Sequence, residues 1–586
     1  MSLTRRRLLA GSGALAGSAA VDRLSAFDGL AEDSRTHLAA DPRRPQYHLL
    51  PPAGWINDPN GPIFWRGAYH MFYQYTADAA GAGPKLWGHA ISPDMLHWHH
   101  FPIALAPTPG APDAGGCWTG SALADGDRVA FLYTGVVPAP ENKATIRDGA
   151  HSLRESVCLA FASGSDLTHW TKEPAAVIAA PPPGLDVTGF RDPCPWREGD
   201  VWYLAMGSGL RGQGGAVLLY RSSDLRHWEY LHPLAQGAGL HGDAADPVAA
   251  GDMWECPDFF PLGDKHVLIH SAGGKAWWQS GVFDRASLTF HAERGGVLDG
   301  GSFYAPKTQL DAHGNRVLWG WITEARPEAE YRAAGWAGMM SLPRLLTLDA
   351  DHNLCIAVAL EVETLRREQQ HHHHTSLNPG GSSDRKAPMI VPSACGEVAC
   401  SFRRDAGPLD LSLISSDKTL LRCRFDPAHP SEILMDDQLV PLGPGTAQAE
   451  LRLYIDSSVI ECFANGYGAF TKRFYDQGPT APNIGIQMRN GWQTLSICQM
   501  APISRDRLTP DLESRGPTRS RDTAPLPDTG PCSGAGPSGC SASSCPGPTS
   551  PERRSTVPAR HTPGSHAGWP SSGRHPLFGC SSHRPE

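Results

Sequence analysis

Apolar residues in this chain come in short runs that glycine, proline and small polar residues interrupt. Long stretches with the 3.6-residue period of an amphipathic helix are nearly absent, whereas segments such as 409–413 and 451–455 alternate between apolar and polar residues. This pattern is typical of many short β-strands. We therefore expect an all-β protein.

A turn motif recurs along the first half of the chain. Two copies read Ser-Asp-Leu-x-His-Trp and end at Trp170 and Trp228; an earlier copy ends at Trp98 and a degenerate one at Phe290. Coincidence is the alternative explanation, and three close copies argue against it. Near-regular recurrence of one turn in a β-rich sequence indicates a propeller in which each four-stranded blade supplies one copy. The segment 300–344 would complete a five-bladed β-propeller.

Three acidic residues have a common place in this repeat. Asp58, Asp192 and Glu255 each precede the aromatic end of the following copy by a similar interval. Strands at equivalent positions of different blades lie at equal radius from the propeller axis. If these residues lie on the innermost strands, the three carboxylates face one central funnel.

The pattern divides the rest of the chain. The propeller is predicted over 46–348 and a C-terminal β-sandwich over 389–507, where alternation resumes. Between them, 349–388 is interpreted as a helical or irregular linker, and its four consecutive histidines as a solvated loop, because successive side chains of an extended segment face opposite sides. The Pro-, Ser-, Gly- and Arg-rich tail over 515–586 is expected to be disordered, with no function assigned.

Length indicates the number of domains, and net charge indicates which kinds of ligand the protein can bind. A chain of 586 residues suits two domains with additional segments. Its net charge of -9 argues against nucleic acid or an anionic membrane as a partner. A neutral small-molecule or oligosaccharide substrate fits better, and the composition leaves the oligomeric state open.

The 14 cysteines lack the paired spacing of zinc sites and occur singly in strand-like runs. We expect buried thiols and leave open a pair such as Cys395 and Cys400. Residues 1–26 combine an arginine run with a small-residue apolar stretch, as in a signal peptide. The two leucines after the arginines resemble a twin-arginine export signal. We therefore expect an exported bacterial protein, periplasmic or extracellular, and that route, as the resemblance implies, accepts folded proteins with free thiols.

Three motifs surround the acidic residues: Trp-Ile-Asn-Asp-Pro-Asn-Gly at Asp58, Phe-Arg-Asp-Pro at Asp192 and Trp-Glu-Cys-Pro-Asp at Glu255. Any one of them alone is an ordinary turn, a structural ion pair or a surface acid. Together, in one repeat phase, they favour a site that binds a hydroxyl-rich ligand, because amides, arginine and aromatic faces all suit sugars.

These motifs, in this order, resemble those of glycoside hydrolase family 32, which includes invertases, levanases, inulinases and related fructosyltransferases. The likeness covers 46–507 and extends to Phe-Tyr-Gln-Tyr at 72–75, Cys-Trp-Thr-Gly-Ser at 117–121 and Trp-Ala-Gly-Met-Met-Ser-Leu-Pro-Arg at 336–344. It implies a five-bladed propeller joined to a β-sandwich. It also implies release of terminal β-D-fructofuranosyl residues from sucrose or a fructan.

The resemblance assigns Asp58 as nucleophile, Glu255 as acid/base catalyst and Asp192 as stabiliser of the transition state. A retaining glycosidase needs one carboxylate to attack the anomeric carbon and one carboxyl group to protonate the leaving oxygen. Crowding three carboxyl groups in one funnel favours protonation of the one that ionises last. The roles are therefore chemically consistent.

The resemblance further implies a pocket for one fructose unit, with no metal and no other cofactor. Its predicted substrate-binding residues are Asn57, Gln74, Trp87, Trp118, Thr119, Arg191, Tyr304 and Trp336. One segment departs from the family pattern, because Ala82–Leu86 replaces a stretch that often carries a tryptophan. An aromatic wall of the pocket is therefore missing or comes from elsewhere.

Two other functions stay open. A fructosyltransferase would use the same covalent intermediate and deliver it to a sugar, and the sequence does not separate this activity from hydrolysis. A non-catalytic carbohydrate-binding propeller would be expected to lose one of the acids. Since Asp58, Asp192 and Glu255 are all present, an enzyme is favoured.

Overall fold

The computed structural model describes residues 32–147, 152–164, 166–238, 246–373, 389–391, 394–415, 418–445, 447–475, 484–489 and 492–503. The predicted signal peptide and the predicted tail lie outside the described residues.

The first two sheets follow each other along the chain. The first contains β1 (Gly54–Pro59), β2 (Ile63–Trp65), β3 (Ala68–Thr76), β4 (Leu86–Ser92) and β5 (His99–Leu105). The second contains β6 (Gly116–Asp125), β7 (Arg128–Pro138), β8 (Ile146–Arg147), β9 (Ser152–Ala162) and β10 (Trp170–Lys172). Each is an antiparallel four-strand path, β1–β3–β4–β5 and β6–β7–β9–β10, with β2 and β8 as short additions.

Three further sheets repeat this arrangement. The third contains β11 (Val187–Glu198), β12 (Val201–Leu210), β13 (Gly214–Ser222) and β14 (Glu229–Gln236). The fourth contains β15 (Glu255–Leu262), β16 (Lys265–Ala272), β17 (Lys275–Asp284) and β18 (Thr289–Val297). The last segment contributes β19 (Phe303–Leu310), β20 (Arg316–Ile322), β21 (Trp336–Ala337), β22 (Met339–Met340), β23 (Arg344–Leu348) and β24 (Leu354–Val358). The fifth blade has the path β19–β20–β23–β24.

The first strands of the five sheets surround a common centre. Contacts join β6 to β11, β11 to β15, β15 to β19 and β19 to β1. The ring is closed by β21, which pairs in parallel with β1 through Gly54–Trp336 and Trp55–Ala337. The predicted five-bladed propeller is therefore confirmed.

The repeated turn motif joins the third and fourth strands of the blades. In the first blade the Trp98 indole donates to the carbonyl oxygen of Met95 at 2.8 Å, and in the third the Trp228 indole donates to that of Leu225 at 2.9 Å. Asp224 Oδ1 accepts the backbone N–H of the two residues before Trp228. Leucine or methionine in the motif takes a positive φ, 64° at Met95 and at Leu225, so the side chain–backbone bonds hold a tight turn.

Helices are few and short. The described residues contain α1 (Glu32–Ala40), α2 (Pro247–Ala250) and α3 (Glu328–Ala334), with 3-10 turns at Glu141–Lys143 and Leu360–Leu365. Among these residues no helix is long and apolar enough to cross a membrane. The all-β prediction is confirmed.

The remaining strands form two six-stranded sheets. They are β25 (Arg366–His373), β26 (Met389–Ile390), β27 (Cys395–Arg403), β28 (Leu409–Ser415), β29 (Lys418–Phe425), β30 (Glu432–Met435), β31 (Gln438–Pro441), β32 (Gln448–Asp456), β33 (Val459–Ala464), β34 (Gly468–Arg473), β35 (Ile484–Arg489) and β36 (Trp492–Met500). Their orders are β25–β36–β27–β32–β33–β34 and β26–β35–β28–β29–β30–β31. One buried apolar cluster, with Val398, Leu411 and Leu453 among its members, fills the space between the sheets. This is the predicted β-sandwich.

Residues 349–373, the described part of the segment 349–388 that was expected to be a linker, are largely structured. They contain β24, which completes the fifth blade, and β25, which pairs with β36 of the sandwich. The side chains of β25 are mostly exposed, so its sequence shows no apolar alternation, and its place in the sheet comes from backbone hydrogen bonds. His371–His373 are therefore strand residues and not a loop, and His374 lies outside the described residues.

The described cysteines are free thiols, and nearly all are buried, as expected. Cys395 and Cys400, left open as a pair, are both free.

A buried charge network joins the propeller to the sandwich. His48 lies 2.8 Å from Asp456 Oδ2 through Nδ1 and 2.9 Å from Glu461 Oε1 through Nε2. Arg344 Nη2 donates to Glu461 Oε2 at 2.5 Å, and Arg344 Nη1 donates to Asp299 Oδ2 at 2.9 Å. All five side chains are buried, so the three carboxylates are shielded from solvent and are stabilised by their direct contacts with His48 and Arg344.

Candidate active site

All five inner strands are irregular at the same level of the funnel. The pairing with the neighbouring strand shifts register between Ile56 and Pro59, Trp118 and Gly120, Arg191 and Cys194, Glu255 and Asp258, and Tyr304 and Lys307. Such β-bulges bend a strand and re-aim its side chains. One bulge per blade therefore creates a ring of displaced side chains around the axis.

Each bulge contains a dipeptide followed by proline or glycine. The five dipeptides, here called the bulge ring, are Asn57-Asp58, Trp118-Thr119, Arg191-Asp192, Glu255-Cys256 and Tyr304-Ala305. Proline follows in four blades and cannot donate to the strand ladder, which favours the irregularity. In the second blade Gly120 follows, where an added Cβ would lie 2.1 Å from the Leu132 carbonyl oxygen.

The bulge ring refines the predicted equivalence of the three acids. Asp58 and Asp192 both occupy the second position of their dipeptides, whereas Glu255 occupies the first, and Cys256 is the residue that corresponds to the aspartates. Asp192, Cys256 and Ala305 have φ values of 65°, 50° and 51°, a region that non-glycine residues rarely adopt. Backbone strain of this kind is concentrated at functional sites.

Asp58 is fully buried and held by donors from two blades. Thr119 Oγ1 donates to Asp58 Oδ2 at 2.5 Å, and the Asn57 side-chain amide donates to Oδ1 at 3.0 Å. The Cys256 thiol lies 3.7 Å from Oδ2. These contacts fix the orientation of the carboxylate.

Glu255 lies between a cation and a phenol. Arg191 Nε donates to Glu255 Oε1 at 3.0 Å and Nη2 lies 2.9 Å from the same oxygen, while the Tyr304 hydroxyl donates to Oε2 at 2.9 Å. Glu255 is fully buried, and Tyr304 and Arg191 are nearly so. The carboxyl group therefore has a well-defined position and two different neighbours, one for each oxygen.

Asp192 is connected to the other two acids through Cys256. The Cys256 backbone N–H donates to Asp192 Oδ2 at 2.9 Å, and its thiol lies 3.4 Å from the same oxygen. The Asp192 backbone N–H donates to Thr134 Oγ1 at 2.8 Å. Since the same sulfur also lies beside Asp58, the structure brings Asp58, Asp192 and Glu255 together from three blades.

Glu155 is a member of this site that the motifs did not reveal. It lies in β9 and is fully buried, and its Oε1 accepts Arg191 Nη1 at 2.8 Å. Its Oε2 accepts the Phe190 backbone N–H at 2.7 Å. The available signal was a single acidic residue at the start of the apolar run 157–161, outside any motif.

Two predicted substrate-binding residues, Gln74 and Trp87, form hydrogen bonds that connect the strands next to the bulge ring. Gln74 donates to the carbonyl oxygens of Leu86 and Cys117 at 3.0 and 2.9 Å, which joins the first two blades. The Trp87 indole donates to the Trp118 carbonyl oxygen at 3.0 Å, and its ring is fully buried.

Trp336 is also fully buried and packs away from the bulge ring. Its indole donates to Asp41 Oδ2 at 2.9 Å, and the guanidinium groups of Arg326 and Arg44 lie 4.3 and 5.5 Å from its ring. These contacts give Trp336 packing partners of its own, and its role in the pocket stays a prediction. A motif identifies a segment but does not tell which of its side chains face the funnel.

An aromatic cluster stands beside the bulge ring. Trp55 contacts Trp321 and Tyr331 edge-on, with centroid separations of 6.1 and 5.6 Å, and these residues share a buried cluster with Tyr304. Ala80, just before the segment that departs from the family pattern, packs against it. The sequence left open whether an aromatic wall is missing or comes from elsewhere, and these three rings are a candidate source for it.

Three buried polar side-chain atoms at this level have no hydrogen-bond partner. In the part of the chain that the structure describes, Asn57 Oδ1 and the indole nitrogens of Trp55 and Trp321 have no hydrogen-bond partner. Buried polar groups are normally hydrogen-bonded, so unpaired ones beside the bulge ring are suited to pairing with the hydroxyl groups of a substrate.

Charge beneath the ring comes from Lys307, whose Nζ donates to the Pro257 carbonyl oxygen at 2.8 Å. Burial opposes its charge, but the nearby groups of Cys194, Asp258, Cys256 and Asp192 raise its pKa above the usual value. His270, stacked on Trp254 with centroids 3.9 Å apart, is held neutral because burial lowers its pKa to about 3.

No group of three or more His, Cys, Asp or Glu side chains with the geometry of a metal site occurs among the described residues.

Comparison with protein families gives two consecutive matches. A model described as "Glycosyl hydrolases family 32 N-terminal domain" matches residues 48–357, and one described as "Glycosyl hydrolases family 32 C terminal" matches residues 361–499. The break between them coincides with the end of β24.

Curated relatives and solved structures agree. The chain is 36% identical over 469 residues to a sucrose-6-phosphate hydrolase of Escherichia coli, with 76% of this chain and 92% of that protein covered. A raffinose invertase of the same organism is 33% identical over 454 residues, with 74% and 90% covered.

Among solved structures, fructan 1-exohydrolase IIa of Cichorium intybus superposes with a TM-score of 0.66 at 26% identity, over 79% of this chain and 98% of that one. A Bombyx mori β-fructofuranosidase superposes with a TM-score of 0.64 at 27% identity, over 80% and 96%. The chain therefore belongs to glycosyl hydrolase family 32 and is a fructosyl-releasing glycosidase.

Proposed function

We propose that the bulge ring cleaves terminal β-D-fructofuranosides with net retention, with Asp58 as nucleophile, Glu255 as acid/base catalyst and Asp192 as stabiliser of the transition state. The proposal rests on the convergence of these acids from three blades around Cys256. It is further supported by the different environments of Asp58, held by hydroxyl and amide donors, and Glu255, held between Arg191 and Tyr304.

In the first step, an Asp58 oxygen attacks the anomeric carbon while the bond to the leaving oxygen breaks. The electron pair of that bond goes to the leaving oxygen, which takes the proton of Glu255. The products of this step are a fructosyl ester of Asp58 and the released alcohol. Thr119 and Asn57 keep the Asp58 carboxylate in the attacking orientation.

In the second step, the Glu255 carboxylate removes a proton from water, and the water oxygen attacks the anomeric carbon of the ester. The bond to Asp58 breaks and its electron pair returns to the carboxylate. Two inversions give net retention. Asp192 accepts hydroxyl hydrogen bonds of the fructosyl ring, and positive charge that develops at the anomeric carbon is stabilised by the surrounding carboxylates.

The substrate is a sucrose-type fructoside or a fructan end. The relatives named above are a sucrose-6-phosphate hydrolase, a raffinose invertase and a fructan exohydrolase. The sugars in these names share a terminal fructosyl group. The unpaired Asn57 Oδ1 and the Trp55 indole provide one acceptor and one donor for its hydroxyl groups. Reaction rates on sucrose, sucrose 6-phosphate, raffinose and inulin measure the preference for the leaving group. Product analysis separates hydrolysis from transfer, because free fructose must exceed fructosylated oligomers if hydrolysis predominates.

Two substitutions test the roles of the acids. Asp58→Asn removes the nucleophile and should lower kcat by about 10⁴-fold or more while sucrose still binds. Glu255→Ala should slow poor leaving groups by about 10²–10⁴-fold and activated aryl fructosides far less, because good leaving groups need little protonation. Steady-state kinetics on both substrate types, with isothermal titration for binding, provide the measurement.

Retained turnover in Asp58→Asn, or equal losses on both leaving-group types in Glu255→Ala, would contradict these roles. A fitting control is Glu397→Gln, which removes a buried carboxylate from the sandwich, where it pairs with Arg366 and Arg452. This variant controls for general loss of a buried acid.

We further propose that the protein acts outside the cytoplasm, since residues 1–26 combine a basic start with a short apolar stretch. Expression of the full chain in a bacterium with twin-arginine transport should place the activity in the periplasm or the medium. Replacement of Arg5, Arg6 and Arg7 by lysine should retain it in the cytoplasm, and unchanged export would contradict the proposal.

A further inference from the structure

Glu155 is a fully buried carboxylate that has no part in the two chemical steps. It reaches from β9 of the second blade to Arg191 in the third, and Arg191 in turn contacts Glu255 in the fourth. A row of three charged groups, carboxylate, guanidinium and carboxyl, therefore crosses the site.

The contact between Arg191 and Glu255 raises the question of how Glu255 can be protonated in the first step. Glu255 must hold a proton in the first step and be ionised in the second. A buried guanidinium with Glu255 as its one carboxylate partner would favour the ionised form, because an opposite charge at hydrogen-bonding distance stabilises it. Protonation would then leave Arg191 as an uncompensated buried charge, which is costly.

Glu155 removes this difficulty. Its Oε1 accepts a hydrogen bond from Arg191 Nη1 at 2.8 Å. Glu255 contacts the other edge of the guanidinium group, which carries Nε and Nη2. The other oxygen of Glu155 accepts the Phe190 backbone N–H at 2.7 Å. Both oxygens are thus occupied by donors, as an ionised carboxylate requires.

We infer that Glu155 is a positioning residue that compensates the charge of Arg191 in both protonation states of Glu255 and so allows Glu255 to act as an acid. The inference rests on the proposed function. It assigns Glu155 no contact with substrate.

The local structure is built for this arrangement. A Cβ added to Gly189 would lie 2.7 Å from Arg191 Nη1, so a larger residue there would displace the guanidinium from its present position. The Glu155 backbone N–H donates to Thr145 Oγ1 at 3.0 Å, and β9 pairs with β7 throughout this region. Thr145 and the pairing with β7 thus help to fix the position of Glu155 beside Arg191.

Other charged or titratable groups also face Glu255. The Tyr304 hydroxyl contacts its second oxygen, and Asp58 and Asp192 approach through Cys256. Below the ring, Lys307 donates to the Pro257 carbonyl oxygen, and His270 lies opposite the bulge in β16. Glu155→Gln leaves each of these residues in the sequence, so the substitution removes one charge and no other titratable group.

The test is the pH dependence of kcat/KM in Glu155→Gln. Without Glu155, Arg191 interacts more strongly with Glu255 and favours its ionised form, so the basic limb of the profile should move to lower pH by about one unit. Above that limb kcat/KM should fall about tenfold, while the acid side changes little. Glu155→Asp retains the charge at a greater distance, and its limb should lie between those of the wild type and Glu155→Gln.

Glu397→Gln serves again as the matched control and should leave the limb in place. A uniform loss of kcat/KM at every pH in Glu155→Gln would show a merely structural role and overturn the inference, as would an unchanged profile. If Glu155→Gln fails to fold, the limb of Glu155→Asp decides, and an unshifted limb there overturns the inference. If Glu255→Ala shows equal losses on both leaving-group types, the proposed function is wrong instead.

Discussion

At the scale of single residues, Thr119 forms a direct hydrogen bond with the proposed nucleophile, Asp58. Its hydroxyl donates to Asp58 Oδ2 at 2.5 Å, and both side chains are fully buried. Thr119→Val keeps the shape and removes this donor. A hydrogen bond to a charged group contributes about 1.5–3 kcal/mol, so we expect kcat/KM to fall about 10- to 100-fold.

Thr119→Ser retains the hydroxyl and should keep most of the activity, which makes it the control for Thr119→Val. Circular dichroism and thermal unfolding would establish that both variants fold. If valine were as active as threonine, the Thr119 donor would not matter to the reaction, and the orientation of the nucleophile would have to come from its other contacts, which include Asn57 and Cys256.

Single residues also mark where inference from sequence ends. The three acids and their motif neighbours Asn57, Thr119, Arg191 and Tyr304 could be proposed from sequence, because rare residue combinations recur in a family. Other features depend on which way a side chain points once neighbouring blades are assembled. Trp336 belongs to a motif and yet packs against arginines, while Glu155 belongs to no motif and yet contacts Arg191.

At the scale of elements, the repeated turn predicted the blades because it is local. Its aspartate, leucine and tryptophan form their bonds within a few residues, as in Asp224 to Trp228, so the sequence itself carries the whole signal. The β-bulges were not predicted, since a bulge is a relation between two strands. This is why the sequence placed Glu255 in phase with the aspartates, whereas the structure places Cys256 there.

The same distinction explains β25. An edge strand exposed on both faces has no hydrophobic period, and its membership in the sandwich comes from pairing with β36, a strand more than 100 positions later in the chain. Interior strands of the sandwich, such as β28, alternate clearly and were recognised as strands for that reason. A strand could therefore be predicted from the sequence when one of its faces is buried, because burial imposes an alternating apolar pattern.

At the scale of the whole molecule, the propeller is joined to the sandwich by apolar packing and by the buried charge network around His48. Leu342 and Leu346 of the propeller share a buried cluster with Tyr454 and Phe463 of the sandwich. The network adds charges that must remain balanced. It therefore makes the interface sensitive to pH in a way that the apolar cluster is not.

The direction of this sensitivity follows from His48. Burial opposes its protonation, but hydrogen bonds to Asp456 and Glu461 raise its pKa from 6.5 to about 9. A group whose pKa is higher in the folded state stabilises that state fully below its unfolded pKa of 6.5 and loses the contribution as pH rises through about 9. We expect up to about 3 kcal/mol of the free energy of unfolding to be lost across this window.

His48→Gln isolates that contribution from the other groups that titrate in the same range. The glutamine variant should be less stable than the wild type at pH 6, because Asp456 and Glu461 lose a cationic partner. The difference between the two proteins should shrink steadily as the pH approaches 9, where the wild-type histidine gives up its proton. Urea unfolding at pH 6, 7.5 and 9 measures this difference, and one that stays constant would mean that His48 is neutral in the folded protein and that Arg344 alone balances the interface carboxylates.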